Sequence, residues 1–202
     1  MVVPVGSCEQ HGPHLPLHTD TVIAAALAEA LAVRRADCMV APALAITASG
    51  EHQGFAGTIS IGNEVMTSVV VELVRSADWA GGVVLVNGHG GNAAAVEGAV
   101  AVLRDEHRRV LAWWPRLSGS DLHAGRTETS LMLALAPEQV DSERATAGPM
   151  PAISELMQRG VAAIRPSGVL GDPDGATADE GRQLFDALVE QLVHAVDAWA
   201  SR

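Results

Sequence analysis

Gly82-Val83-Val84-Leu85-Val86, running directly into Asn87-Gly88-His89-Gly90-Gly91-Asn92, is the stretch that decides the fold. A continuous apolar run of this length reads as a strand buried on both faces, which requires a sheet covered by helices on each side. Its glycine-rich continuation reads as a tight turn, because glycine adopts positive φ at little cost. Asn92 is predicted to cap a helix running to about Arg108. Upstream, Val2–Val5 is a short β-branched strand and Thr21–Arg35 an alanine- and leucine-rich helix. Cys38–Ala43 is a candidate second strand. Ser49–Gly62 is a glycine-rich connection containing the β-prone Thr58–Ile61, and Asn63 is the predicted cap of a helix to Trp79. Downstream come a strand at Val110–Trp114, a loop at Ser118–Arg126 and a short helix at Glu128–Ala136, stopped by Pro137. Ile153–Ile164 reads as a helix and a short strand, and Pro166–Gly175 as a turn-rich loop. Thr177 with Glu180 forms a capping box that opens a last helix to about Trp199. This alternation predicts an α/β fold: three layers, α/β/α, with a mostly parallel central sheet, in a single domain over residues 1–202.

Bulk properties narrow the function. The formal net charge of −11 argues against a nucleic-acid partner. No apolar run reaches the length of a membrane span, so no membrane partner is expected. Met1–Val5 has neither the basic region nor the cleavage-site pattern of a signal peptide. A strand this near the first residue suggests that the natural chain extends upstream. The two cysteines, Cys8 and Cys38, make a disulfide framework implausible and suit a reducing, cytoplasmic setting.

In such folds, sites gather beyond the carboxyl ends of the strands, which is where the loops after Val5 and Val86 lie. In an extended segment Glu9 and His11 face one side, while Cys8 and Gln10 face the other. A carboxylate beside an imidazole is ordinary ligation for zinc, iron or manganese. Asp20 follows just before a helix, with His14 and His18 in between. Taken singly, Asp20 reads as a helix N-cap and His11 as a hydrogen-bonded structural residue. The density of donors within this short stretch favours a metal site. His89 stands in the turn after the buried strand. A phosphate-binding turn is the rival there, but neither the Walker nor the G-x-G-x-x-G spacing occurs. In His123-Ala124-Gly125-Arg126-Thr127-Glu128-Thr129-Ser130, Thr127 is the predicted cap. Glu128 by itself reads as a helix-dipole charge, and His123 is free to act as acid or base. Cys8 raises the alternative of a thiol–histidine enzyme, but its predicted direction opposes the cluster. Trp113 and Trp114 read equally as pocket or core aromatics.

Four ordered motifs together resemble the creatininase (creatinine amidohydrolase) family. The first comprises Val3-Pro4-Val5-Gly6-Ser7, Glu9-Gln10-His11-Gly12-Pro13-His14-Leu15-Pro16 and Thr19-Asp20. The second is Asn87-Gly88-His89-Gly90-Gly91-Asn92, and the third is His123-Ala124-Gly125 with Glu128-Thr129-Ser130. The last is Gly168-Val169-Leu170-Gly171-Asp172-Pro173 with Ala176-Thr177. The resemblance implies a two-metal centre that hydrolyses amide-type C–N bonds. Glu9 and His89 would serve one ion, His11 the other, Asp20 would bridge them, and His123 would shuttle a proton to the leaving nitrogen. Creatininases place a glutamate ligand where this chain has Gly91. Glu128 is therefore expected to supply the missing donor, and creatinine itself is an unpromising substrate. His14, His18 and Glu51 or His52 are expected to surround the ligands.

Trp113-Trp114-Pro115-Arg116-Leu117, the stretch from His123 to Leu135, and Pro166 to Pro173 resemble a peptide-cleaving subgroup of that family. This implies a modified ribosomal precursor peptide as substrate, two divalent ions (zinc, iron(II) or manganese) and a homo-oligomer. A hydrolase of a small cyclic amide or formamide, and a metal-binding protein without turnover, are the other readings.

Overall fold

The computed structural model describes residues 1–201, except the side chain of Met157. Three parallel strands form its sheet: β1 (Val2–Val5), β2 (Val83–Asn87) and β3 (Val110–Trp113), in the order β1-β2-β3. Val2 pairs with Val84 and Val5 with Asn87, and Val83 pairs with Val110. Every residue of β1 and β2 is buried, as a strand covered on both faces requires.

The two faces sort the residues by parity. Val2, Val84 and Val86 pack in one core with α1 (Thr19–Arg34) and α7 (Ala178–Ala200), through Leu27, Leu31, Leu188 and Leu192. α4 (Arg126–Leu135) joins that layer through Leu131 and Met132. Val3, Val5, Val83 and Leu85 pack on the other face against α2 (Gly62–Ser76) and α3 (Ala93–Asp105), through Val70, Val74, Val96 and Leu103. Burying each of these leucines stabilises the fold by about 1.5–3 kcal/mol. The expected three-layer arrangement is the one observed.

Several local expectations change. Cys38–Ala43 forms no ladder; Val40 and Leu44 make single parallel bridges beside β1. Thr58–Ile61 stays a connection, its amides spent on distant carbonyls: Ile59 N–H on Cys8 O and Ile61 N–H on Thr47 O. The segment from Ile153 is two short helices, α5 (Ile153–Arg159) and α6 (Val161–Ile164), with no strand. Asn92 does not cap α3. A short 3-10 turn, Gly90–Asn92, precedes that helix, and the Asn92 side chain ties loops together instead. Trp113 is core and Trp114 packs against the other core, so neither lines the site. The Thr177 hydroxyl accepts from Glu180 N–H as predicted, but the Glu180 carboxylate turns to Arg126 and Ser130 rather than back to Thr177.

Backbone proximity fixes where α1 begins. A Cβ at Gly6 would overlap Thr21, so only glycine lets the end of β1 pass this closely under the helix. That contact brings the loop after β1, the first turn of α1 and the turn after β2 to one place.

Candidate metal centre

The loop leaving β1 does not run extended. Glu9 N–H donates to Leu17 O at 2.9 Å and His11 bridges Leu15, so the segment folds back on itself. Cys8 lies away as expected, its thiol on Gly57 O. Gln10 does not project away from the cluster. Its amide donates to His52 Nδ1 at 2.8 Å, and its backbone carbonyl accepts from His123 Nε2 at 2.7 Å.

Asp20 lies in the first turn of α1 but is not its cap; no side chain caps that helix. Its carboxylate is drawn inward. Oδ2 accepts from the Ser7 hydroxyl at 2.8 Å and lies 3.1 Å from His89 Nδ1, while Oδ1 lies 3.2 Å from His11 Nε2. Asp20 thus stands between two imidazoles. His89 Nε2 lies 3.1 Å from Glu9 Oε2, and His11 Nε2 lies 3.9 Å from Glu128 Oε2. Glu128 also accepts from Ala124 N–H at 2.6 Å. Gly125, not Thr127, precedes α4, and Thr127 N–H is taken by Asp121. His123 is held by a bridge to Leu170, with Nδ1 3.8 Å from Glu9 Oε1. His52 Nε2 lies 3.4 Å from that same oxygen. The six residues singled out from the sequence are therefore brought together. Of the four expected around them, Glu51 and His52 line the cavity, whereas His14 bonds Thr129 and His18 is exposed ahead of α1.

A cavity of about 510 Å³ opens over this cluster. Glu9, Asp20, His89, His123 and Glu128 line it, with Glu51, His52, the glycines 88, 90 and 91, and apolar Ala93, Ala94, Ile153 and Leu156.

The charges are strongly perturbed. Burial, only partly opposed by His89, pushes Glu9 up to about 8. Burial would lower His11, but Asp20, then Glu128 and Glu9, outweigh it and raise the imidazole to about 10. His89 is raised well above the usual range against burial, chiefly by Glu9 and Asp20. Asp20 is held well below the carboxylate range despite burial, mainly by His11. Burial lowers His52 to about 4, and burial with the neighbouring His11 and His52 takes His123 well below its usual value. Burial raises Glu128.

These residues fit divalent cations. Three sets each bring donor atoms within 4.8 Å of one another: Glu9, Asp20 and His89; Glu9, His52 and His123; and His11, His123 and Glu128. Both Glu9 oxygens are buried without a hydrogen-bond donor, because the His89 Nε2–H is aligned on Ala48 O at 2.9 Å instead. A buried carboxylate left so is costly unless a cation or proton meets it. Nitrogen and oxygen donors without a thiolate suit zinc, iron(II) and manganese.

Comparison with known proteins defines the class. Residues 1–196 match the family model described as creatininase, creatinine amidohydrolase. The chain belongs to the creatininase family and is an enzyme of its hydrolytic, amidohydrolase and peptidase type. Among its relatives, the mycofactocin precursor peptide peptidase of Mycobacterium tuberculosis (strain CDC 1551 / Oshkosh) is 51% identical over 98% of this chain and 85% of that protein. The creatinine amidohydrolase of Pseudomonas putida is 28% identical over 97% of this chain and 88% of its own. A mutant creatininase of Zn-Zn type superposes with a TM-score of 0.82 at 25% identity, covering 96% of this chain and 88% of its own.

Gln10 and His52 are the site residues that sequence reasoning undervalued. The alternation rule for an extended segment sent Gln10 the wrong way, and nothing local to His52 ties it to Glu9.

Proposed function

We propose that this enzyme is a metal-dependent peptidase acting on a mycofactocin precursor peptide, releasing the modified C-terminal core dipeptide. One observation carries the metal dependence: the two donorless, fully buried oxygens of Glu9 inside a ring of imidazoles and Asp20. The relatives with this peptidase name, 46–51% identical, support the substrate. In this reading Glu9 and His89 would hold one divalent ion and His11 and Glu128 the other, with Asp20 shared between them. Zinc, iron(II) or manganese would serve. Bound there, such ions supply a water that ionises near neutral pH and an electrophile for the amide carbonyl.

His123 handles the proton. Its Nε2–H is committed to the Gln10 carbonyl and burial keeps the ring neutral, so only Nδ1 is available. Nδ1 takes a proton and hands it to the departing nitrogen. The apolar wall of Ala93, Ala94, Ile153 and Leu156 packs against the dipeptide side chains. We further assign a single domain over 1–202, a homo-oligomer and a cytoplasmic setting. Among the described residues no helix is long and apolar enough to cross a membrane.

The similarity to a creatinine amidohydrolase favours a second reading, hydrolysis of a small cyclic amide or formamide. Mass spectrometry of reactions with a modified precursor peptide, creatinine and a formamidopyrimidine separates the two. Release of a C-terminal dipeptide is the expected result. Turnover of a small amide with the peptide left intact would overturn the peptidase assignment.

A further inference from the structure

Glu51 sits on the 3-10 turn Gly50–His52, its side chain 16% exposed and facing the cavity. Its Oε1 lies 3.2 Å from His89 Nε2. That ring nitrogen already has Ala48 O at 2.9 Å and Glu9 Oε2 at 3.1 Å. One N–H serves one acceptor well, and Ala48 O has the aligned bond. Two carboxylate oxygens are thus crowded at one ring nitrogen, and the one on Glu9 is buried with no donor.

Space makes this crowding possible. A Cβ at Gly91 would overlap both Glu51 Oε1 and His89 Nε2 and stand 2.8 Å from Glu51 Cδ. The Glu51 carboxylate occupies the volume that any side chain at position 91 would need. Gly91 has no positive φ, so its glycine is required for room and not for conformation. Charge points the same way. Glu9, Asp20, Glu51 and Glu128 bring four carboxylates to one cavity, and Glu9, fully buried, has no donor. Two divalent cations match four carboxylates.

We infer that Glu51 is a further metal-ligating carboxylate of this centre, admitted by the glycine at position 91. The inference rests on the two-metal reading above. Its test compares wild type, Glu51→Gln and Gly91→Ala, purified without air. Metal per chain is read by plasma mass spectrometry, and the ligand sphere by visible absorption after cobalt(II) substitution. Glutamine keeps the size and polarity of the side chain, so Glu51→Gln removes the anionic ligand without emptying its space. Gly91→Ala leaves Glu51 intact but crowds both its carboxylate and the His89 ring, so it tests the room at this position, and Glu51→Gln decides the ligand role.

Both variants, folded by circular dichroism, are expected to lose affinity for one ion by at least about tenfold and to change the cobalt absorption bands. A Glu51→Gln protein with wild-type metal content and an unchanged cobalt spectrum would overturn the assignment while leaving the centre itself intact. Wild-type protein that takes up no metal would overturn the metal reading and Glu51's role with it.

Discussion

Two groups of buried polar side chains stand side by side at the carboxyl edge of the sheet, and they are satisfied in opposite ways. Asn87 and Asn92 saturate each other and the backbone. Asn92 accepts from Ala48 N–H at 3.1 Å and donates to Gly6 O at 2.9 Å and Asn87 Oδ1 at 3.0 Å; Asn87 donates to His89 O at 2.6 Å. Glu9, as deeply buried, has no donor on either oxygen. The asparagines cost nothing further and hold three loops in register. Glu9 keeps an unmet electrostatic demand inside the fold. A protein retains such a residue where the demand is met by something it binds, and stability is given up for function.

Glu9→Gln breaks this contrast most sharply. It should lose one ion, as read by metal analysis, and at least about a thousandfold in kcat/KM, the scale of removing a catalytic electrostatic group. In the metal-free state above about pH 8, where Glu9 is ionised, the same change should raise Tm, because a buried anion is replaced by a neutral amide. A variant that keeps its metal and activity, or a metal-free form less stable than wild type, would show that Glu9 is an ordinary structural residue. His123→Ala tests the neighbouring step. A drop in kcat of about 10²–10⁴-fold is expected with metal content retained, the range for a lost acid–base group. Parallel loss of metal would instead make His123 a ligand.

The structural half of the comparison is probed by Asn92→Ala. The change strips the partners of Ala48 N–H and Asn87 Oδ1, each costing roughly 1–3 kcal/mol when left buried and bare, while Gly6 O keeps the Thr47 hydroxyl. Calorimetry should show a Tm lower by several degrees, at roughly 2–4 °C per kcal/mol for a domain of this size. Metal per folded chain should stay at the wild-type value.

The uneven legibility of the site has the same origin. The apolar run of β2 and the β-branched β1 announced a sheet covered on both faces, because burial on two sides leaves no room for polar alternation. Glu9, His11, Asp20 and His89 were visible as donors close to strand ends, His123 as a free acid or base, and Glu128 only through the family resemblance and the glycine at position 91. Gln10 was not, and His52 was expected near the ligands but not against Glu9. Gln10 was misdirected because local periodicity assumes a regular backbone, and this loop folds back through the Glu9–Leu17 bond. His52 reaches Glu9 across 43 residues of chain, a contact set by the connection after residue 49 folding onto the loop after β1, where Ile59 N–H meets Cys8 O, and not by any local pattern. Asn92 was misread as a cap because a cap and a loop clamp have the same composition. Only the distances to Gly6 and Ala48 tell them apart.

The metal-free protein should also become less stable as pH rises through neutrality. His11, raised from 6.5 to about 10, contributes stability that is complete below 6.5 and lost towards 10. Glu9, raised from 4.5 to about 8, binds its proton more tightly folded than unfolded, so stability falls as pH climbs between those values. His52 and His123 are depressed, so their opposite contribution is already complete above about 6.5. Thermal scans of metal-free protein from pH 6.5 to 9 should therefore show a Tm declining by several degrees. Glu9→Gln should decline less, and added zinc should flatten the wild-type curve. A wild-type Tm that rises over this range would contradict the protonation assigned to the cluster.

The smallest expected effect concerns Cys8, one residue before Glu9. If the loop were extended, its thiol and the histidines would be close enough in sequence to suggest a nucleophile. The folded-back loop puts the thiol on Gly57 O instead, and no cysteine belongs to any of the donor clusters among the described residues. Cys8→Ser should leave kcat/KM within about twofold, the scale expected of a surface change remote from the reacting atoms. Metal content should be unaltered, and alkylation of the wild-type thiol should leave turnover intact. Loss of activity on alkylation, with Cys8→Ser equally inactive, would move the chemistry from the Glu9 cluster to the sulfur and break the contrast between a demanding Glu9 and its quiet neighbours.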